Sequence, residues 1–466
     1  MSLDDVLRLA KDQSPQALLS RHRYRSSYWA FRSYKAKYLP NLNLNASLPN
    51  YFHSINATTL PDGTQIFTLQ NRMTNQGTLN LQQNIGITGG SIALSSDLTR
   101  IDEFGDHSHG FSSEPISISI NQPLSGYNPM KWERKIEPLK YEEAKKTYIK
   151  SMEDVSKNAI DYFFDLAQSQ LMLQISNVNY FNADTLYKIA RGRYNIGTIA
   201  ENELLQMELS LLNAGTQLTE AKIDLELRKS RIRSFLGYNQ NVEIILDIPK
   251  QIPSLKVEYN RVYEEAMKNN PDILDMDRQI LESMQNVAQA RANRFLNNSY
   301  LTARYGLNQT ANLLPDVYKN PLDLEVLDVG LRIPLLDWGM RRGQYKMAQS
   351  NEEVVRTQVK QAQIDFQQNV FLQVMRFNVQ DRQYFAAAKA DTVAQLRYEL
   401  SKQRFMIGKI DVLNLNVSLT DKDAAKRSYI EALHTYWSYY YTIRQISLYD
   451  FEADKPLDAD LDSLLN

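Results

Sequence analysis

Two histidines, His107 and His109, stand one residue apart in the stretch GDHSHG. That spacing lets two imidazoles approach one metal ion, but a zinc site needs three or four donors. The chain has five His and no Cys, and no other His lies near this pair in sequence. The expected setting is therefore a solvated polar loop between strand-like segments. The acidic run DADLD at 458–462 lacks the Gly and the closing Glu of a calcium loop. It reads as part of a disordered acidic tail. Without Cys there is no thiolate nucleophile and no disulfide. HExxH, the phosphate-cradling P-loop and the GxSxG elbow are all missing. Charge is balanced, 53 basic against 54 acidic residues, which leaves no footprint for nucleic acid. The expectation is a protein that catalyses nothing and holds neither metal nor cofactor.

The residues with informative spacing are of another kind. RYNIGTIAENELL begins at Arg193, and RFMIGKIDVLNLN begins 211 residues later at Arg404. At the same offset Pro123 meets Pro334, Tyr127 meets Trp338, Tyr187 meets Tyr398, and Arg233 meets Arg444. KDQSPQALL resembles KNNPDILDM, and YKAKYLPN resembles ARANRFLN. Two structural repeats follow, 1–240 and 258–450, joined by a linker at 241–257 and ending in an acidic tail at 451–466. Each is expected to hold a helical segment (roughly 3–38 and 258–296), β-like segments, a very long helix, the Gly phrase and a further helix.

In the second long helix Val355, Val359, Ala362, Phe366, Val370 and Phe377 fall on one stripe of 3.6 periodicity, flanked by Gln358, Gln361, Gln367 and Gln368. A stripe that narrow suits an antiparallel coiled coil. About 60 uninterrupted residues at about 1.5 Å each make a rod near 90 Å long. The β-like segments alternate. Leu42, Leu44 and Leu48 interleave with Asn and Ser, as do Ile116, Ile118 and Ile120. Leu301, Ala303, Tyr305 and Leu307 do the same with polar partners, and Val329, Leu331 and Ile333 with Asp328, Gly330 and Arg332. One greasy face and one wet face per strand is the pattern of a membrane barrel. Trp132 and Trp338 lie where strand gives way to helix, in keeping with an interfacial aromatic belt or with packing at that junction. No apolar run approaches the roughly 18 residues of a membrane-spanning helix. The opening residues MSLDDVLRLAKDQSP lack the basic and apolar regions of a signal peptide, so a signal present in the precursor is expected to have been removed.

Two membrane-length strands per repeat give about four per chain. Four cannot close a barrel, and an open edge in lipid strands backbone polar groups, so the barrel is expected to be shared between chains. The first repeat carries about 46 surplus residues, 84 between Leu39 and Pro123 against 38 between Leu296 and Pro334. They include NIGITGGSIALSS, expected to form an added hairpin near the barrel base.

On the doubled Arg-aromatic-x-Ile-Gly phrase, the PLLDWG strand exit and the AKYLPNLNL helix-to-strand passage, the sequence resembles the TolC-like outer-membrane efflux proteins. The resemblance implies an α+β membrane protein: a homotrimer with a 12-stranded barrel in the lipid of a Gram-negative outer membrane and a helical tunnel in the periplasm. It also implies a periplasmic adaptor (membrane fusion) protein coupled to an inner-membrane transporter. The hairpin tips, with Arg193, Gly197, Arg404 and Gly408, would dock the adaptor; a C-cap glycine without a partner explains the same residues. Some relatives narrow the periplasmic mouth with Asp rings, which here fall on Asn414 and Val417, with Glu203 and Asp411 as the nearby acids. The alternative function is a soluble long coiled-coil scaffold.

Overall fold

The computed structural model describes residues 1–59, 61, 63–238, 243–249, 252–253, 255–296 and 298–465. Part of the 241–257 linker thus lies outside the described residues. The chain forms two compact units. One comprises Met1–Ser26, Glu142–Leu274 and Gln361–Asn466; the other comprises Ser27–Tyr141 and Asp275–Lys360.

The opening helical segments each break in two. Helix α1 (Leu3–Gln13) is followed by α2 (Pro15–Ala36), and α5 (Tyr259–Asn269) by α6 (Pro271–Ala292). In both places a proline takes the first helical position, where its missing N–H costs nothing and its fixed φ starts a new helix. The preceding Ser14 and Asn270 have extended backbone. Single segments over 3–38 and 258–296 were the expectation; the prolines explain the difference. Ser2 and Asp5 form a capping box at the start of α1.

The long helices are α3 (Pro129–Asn195) and α7 (Met340–Met406), 67 residues each, about 100 Å at 1.5 Å per residue. Their bounds differ by the same 211 residues as the Gly phrase, and those of α2 and α6 by 256. Helix α4 (Glu201–Phe235) follows α3, and α8 (Val412–Ser447) follows α7. The stripe on α7 is the buried face: Val359, Val370 and Phe377 are buried and Val355, Ala362 and Phe366 half-buried, while Gln358, Gln361, Gln367 and Gln368 are exposed.

Among the described residues unit one has three apolar cores. The largest joins Val6 and Ala10 of α1 to Ile160, Phe163, Phe164 and Leu166 of α3, Ile232 of α4 and Leu433 of α8. Full burial of such side chains contributes roughly 1.5–3 kcal/mol each. A second joins Val262 and Ala266 of α5 to Val370, Val374 and Phe377 of α7 and Tyr436, Tyr440 and Ile443 of α8. Through the first runs a charged network. The buried Glu153 of α3 accepts from Lys11 Nζ at 2.9 Å and from Arg444 Nε at 3.0 Å, and Arg444 also pairs with Asp450. The tail expected to be disordered instead folds back: Tyr449–Asp450 (β7) pairs with Lys455–Pro456 (β8). Arg261 holds Asp454, and Arg25 donates to the Leu464 carbonyl. Charge runs favour disorder only while they lack partners; here Arg261 of α5 pairs with one tail acid and Arg25 of α2 holds a tail carbonyl.

Unit two contains one antiparallel meander of six strands in chain order. They are β1 (Asn41–Thr59), β2 (Gln65–Ile85), β3 (Gly90–Glu103), β4 (Ser108–Pro123), β5 (Tyr300–Ala311) and β6 (Leu322–Gly330). Four strands per chain were the expectation. The surplus residues form β2 and β3, two full strands in the middle of the sheet. Strand β6 ends at Gly330 rather than continuing through Ile333. Pro334 has no donor and restricts its predecessor, and Arg332 N turns to Ser299 Oγ at 3.0 Å.

Candidate functional site

Both Gly phrases close a long helix by the same device. Gly197 N donates to Tyr194 O and Thr198 N to Arg193 O, each at 2.9 Å; Gly408 N donates to Phe405 O and Lys409 N to Arg404 O, also at 2.9 Å. This paired closure is a Schellman motif, which needs a left-handed residue. Gly197 has φ 72° and Gly408 φ 73°, a region that costs other L-residues. A Cβ would meet nothing within 4 Å at either position, so backbone conformation, not crowding, selects glycine there.

The two arginines of the phrase diverge. Arg193 donates from Nη2 to the Met406 carbonyl at 3.1 Å and lies over the Phe405 ring at 5.7 Å. It thereby caps the C-terminus of the other long helix, where the dipole favours a cation. Arg404 is exposed and makes no side-chain hydrogen bond among the described residues. The aromatic positions diverge likewise. Phe405 is buried with Tyr398 and Leu415 in the third apolar core, whereas its counterpart Tyr194 is exposed. That the arginines of the phrase could cap helix carbonyls was legible in sequence; that Arg193 would do so across Phe405 at Met406 was not.

The expected constriction residues sit on the helices that leave the tips. Asp411 is the N-cap of α8: its Oδ1 accepts from Asn414 N and from Asn414 Nδ2, both at 2.8 Å. Asn414 and Val417 are exposed, and Glu203 is half-buried in the first turn of α4. A cleft of about 670 Å³ between the tips brings together Arg193, Glu203, Gly408 and Asp411, along with Thr198 and Lys409. Gly197, Arg404, Asn414 and Val417 do not line it. Deeper along the helices Tyr398 packs against Lys422 Nζ at 4.5 Å. Burial, with Glu399 and Asp423 nearby, pushes its phenol up to about 12. Asp423 accepts from Asn179 Nδ2 at 2.6 Å.

Trp132 is half-buried in the second turn of α3 with Lys135 over its ring at 5.5 Å. Trp338 is 90 % exposed in the turn before α7, next to the exposed Leu335 and Leu336. His107 lies exposed in the β3–β4 turn, and His109 lies exposed at the start of β4, opposite Asp102 of β3. Among the described residues no group of three His, Asp or Glu side chains is placed to hold a metal, and no helix is long and apolar enough to cross a membrane.

Residues 262–446 match the family model described as outer membrane efflux protein. No curated protein matches the sequence. Solved channels share the fold over nearly the whole chain. The CmeC outer membrane channel of Campylobacter jejuni is 15 % identical, with a TM-score of 0.68 over 99 % of this chain and 88 % of its own. The outer membrane protein VceC of Vibrio cholerae is 13 % identical, with a TM-score of 0.65 over 98 % and 97 %. The open-state MtrE outer membrane channel of Neisseria gonorrhoeae is 12 % identical, with a TM-score of 0.63 over 98 % and 91 %. The chain thus has the fold of the TolC-like outer-membrane channels along its length and, through residues 262–446, the sequence signature of the outer membrane efflux proteins.

Proposed function

We propose that this protein is an export channel of a Gram-negative outer membrane, in which three copies share one barrel in the lipid and extend a helical tunnel into the periplasm. The observation that carries the reading is an open sheet with a greasy face and two unpaired edges. Leu42 and Leu44 of β1, Leu79 of β2, Leu94 of β3, Ile118 of β4, Tyr305 of β5 and Leu327 of β6 are all exposed on it. Among the described residues strands β1 and β6 each have one neighbour only. Lipid accepts such a face and forbids such edges, so other copies must complete the wall. The helices agree. Leu205, Leu209 and Leu212 of α4 and Val393, Leu396 and Leu400 of α7 form exposed apolar stripes, large for a monomer in water.

In this reading 1–240 and 258–450 are the two repeats, each supplying one hairpin of the tunnel, with 241–257 as the joint and 451–466 as the tail. The tips around Arg193, Gly197, Arg404 and Gly408 meet a periplasmic adaptor coupled to an inner-membrane transporter. Glu203, Asp411, Asn414 and Val417 stand near the periplasmic mouth. Trp132 and Trp338 lie at the membrane interface. The protein moves solutes and catalyses nothing. The soluble-scaffold alternative leaves the apolar sheet face uncovered.

The test is fractionation followed by light scattering of the detergent-extracted native protein. It should sediment with outer membranes, need detergent, and be trimeric. A stable monomer, or a protein recovered in the soluble fraction, would refute the reading.

A further inference from the structure

We infer that all six strands of each chain stand in the barrel wall, so that three copies close an 18-stranded barrel, not the 12-stranded one that four strands per chain would give. This rests on the trimeric-channel reading above and specifies the occupant of the free sheet edges: β1 of one copy pairs with β6 of the next.

The surplus hairpin cannot be lifted from the wall without opening it. Strand β1 pairs with β2 from Asn41↔Gln82 to Thr59↔Gln65, and β3 pairs with β4 from Ser91↔Asn121 to Glu103↔Ser108. Among the described residues strand β1 does not pair with β4 at all. The β2–β3 turn is also pinned to the chain around it. Asn128 Nδ2 donates to the Gly86 and Ile87 carbonyls at 3.1 and 2.9 Å, Gln122 Nε2 to Thr88 O at 3.1 Å, and Asn84 Nδ2 to Lys37 O at 2.9 Å.

The faces run in phase through the insertion. Register connects Leu42, Leu81, Leu94, Ile118 and Tyr305 in one cross-strand row, every one an exposed apolar side chain. The neighbouring row on the opposite face is Asn43, Asn80, Ser95, Ser117 and Gly306. A one-residue slip would flip the faces; β2 and β3 keep one register from Arg72↔Glu103 to Ile85↔Gly90, and the bulges against β1 (between Ser47 and Asn50) and β4 (between Ser95 and Asp97) fall beyond these two rows. Because six is even, β6 of one copy meets β1 of the next antiparallel, and the barrel closes with an even strand number. Barrel diameter grows roughly linearly with strand number, so at equal tilt the wall is about 1.5-fold wider than a 12-stranded one. Barrels of 16–18 strands enclose an aqueous channel.

The chain has no Cys, which makes single-cysteine spin labelling of these 466 residues free of background. The variants are Leu79→Cys, Leu81→Cys, Ile92→Cys and Leu94→Cys on one face and Thr78→Cys, Asn80→Cys, Ala93→Cys and Ser95→Cys on the other. Leu42→Cys and Asn43→Cys in β1 and Ile118→Cys and Ser119→Cys in β4 serve as controls. In trimers reconstituted into lipid, labels on the first face should collide with oxygen, and labels on the second with a water-soluble nickel chelate, in phase with the controls. Electron microscopy of the same trimers should count 18 strands. Nickel access on both faces of β2 and β3, with the controls still alternating, or a count of 12, overturns the inference and leaves the channel reading standing. Controls that fail to alternate overturn both.

Discussion

The strongest local test concerns Gly408. Its φ of 73° and the open space around its Cβ position separate conformational cost from steric cost. An L-residue in this region loses about 1–2 kcal/mol, with a β-branched Val at the upper end and Asn well below it. That cost falls on the two bonds that end α7, Gly408 N to Phe405 O and Lys409 N to Arg404 O. One to two kcal/mol is roughly a 5–30-fold change in a local equilibrium. In Gly408→Val, amides 408 and 409 should therefore exchange with deuterium roughly 5–30-fold faster. Gly408→Asn should differ from the parent by less than about threefold. Trimer assembly should be unchanged in both. Equal damage from Val and Asn would show that φ is not what selects glycine. A trimer lost in both variants would show that the tip is not energetically local.

Glu153→Ala removes one of the two carboxylates that pair with the buried Arg444 guanidinium and leaves it Asp450 and the Tyr440 hydroxyl, and should cost about 3 kcal/mol in thermal unfolding of the extracted protein; a loss below about 1 kcal/mol would show that water already screens the network. Asp450 has a carboxyl held below its usual range: burial pushes it up, but the Ala453 and Glu452 N–H groups and Arg444 outweigh that. A depressed folded pKa stabilises above the unfolded value near 4 and is lost as pH falls through the folded one. Asp450→Asn should accordingly be less stable than the parent at neutral pH and show a flatter acid-unfolding limb, read by circular dichroism; an unchanged limb contradicts the assignment. At the proposed periplasmic mouth, the exposed Asn414 beside Asp411 carries no charge of its own. A trivalent cation added on the periplasmic side of single channels in planar bilayers should block the parent weakly and Asn414→Asp more tightly. Tight block of the parent would instead assign the ring to Glu203 or Asp411.

Much of this architecture was written locally. Periodicity marked the buried stripe from Val355 to Phe377 because a helix repeats every 3.6 residues wherever it packs. The doubled Gly phrase marked two helix ends, since the left-handed closure there is a property of five or six consecutive residues. Strand alternation at Leu42–Leu48, Ile116–Ile120 and Leu301–Leu307 marked a two-faced sheet for the same reason. Pairing was not local. The greasy face of β2 is interrupted by Asn71, Asn75 and Gln83, so its alternation did not read as membrane-length, and only register with β1 and β3 placed it inside the sheet. Which carbonyl Arg193 caps was decided by the approach of a helix more than 200 residues away, and where the described part of the tail folds back was decided by Arg25 on α2 and Arg261 on α5. Sequence patterns report the environment a residue wants on its own element; which distant element supplies it is a matter of three-dimensional packing, and that is where strand number and tip anchoring were settled.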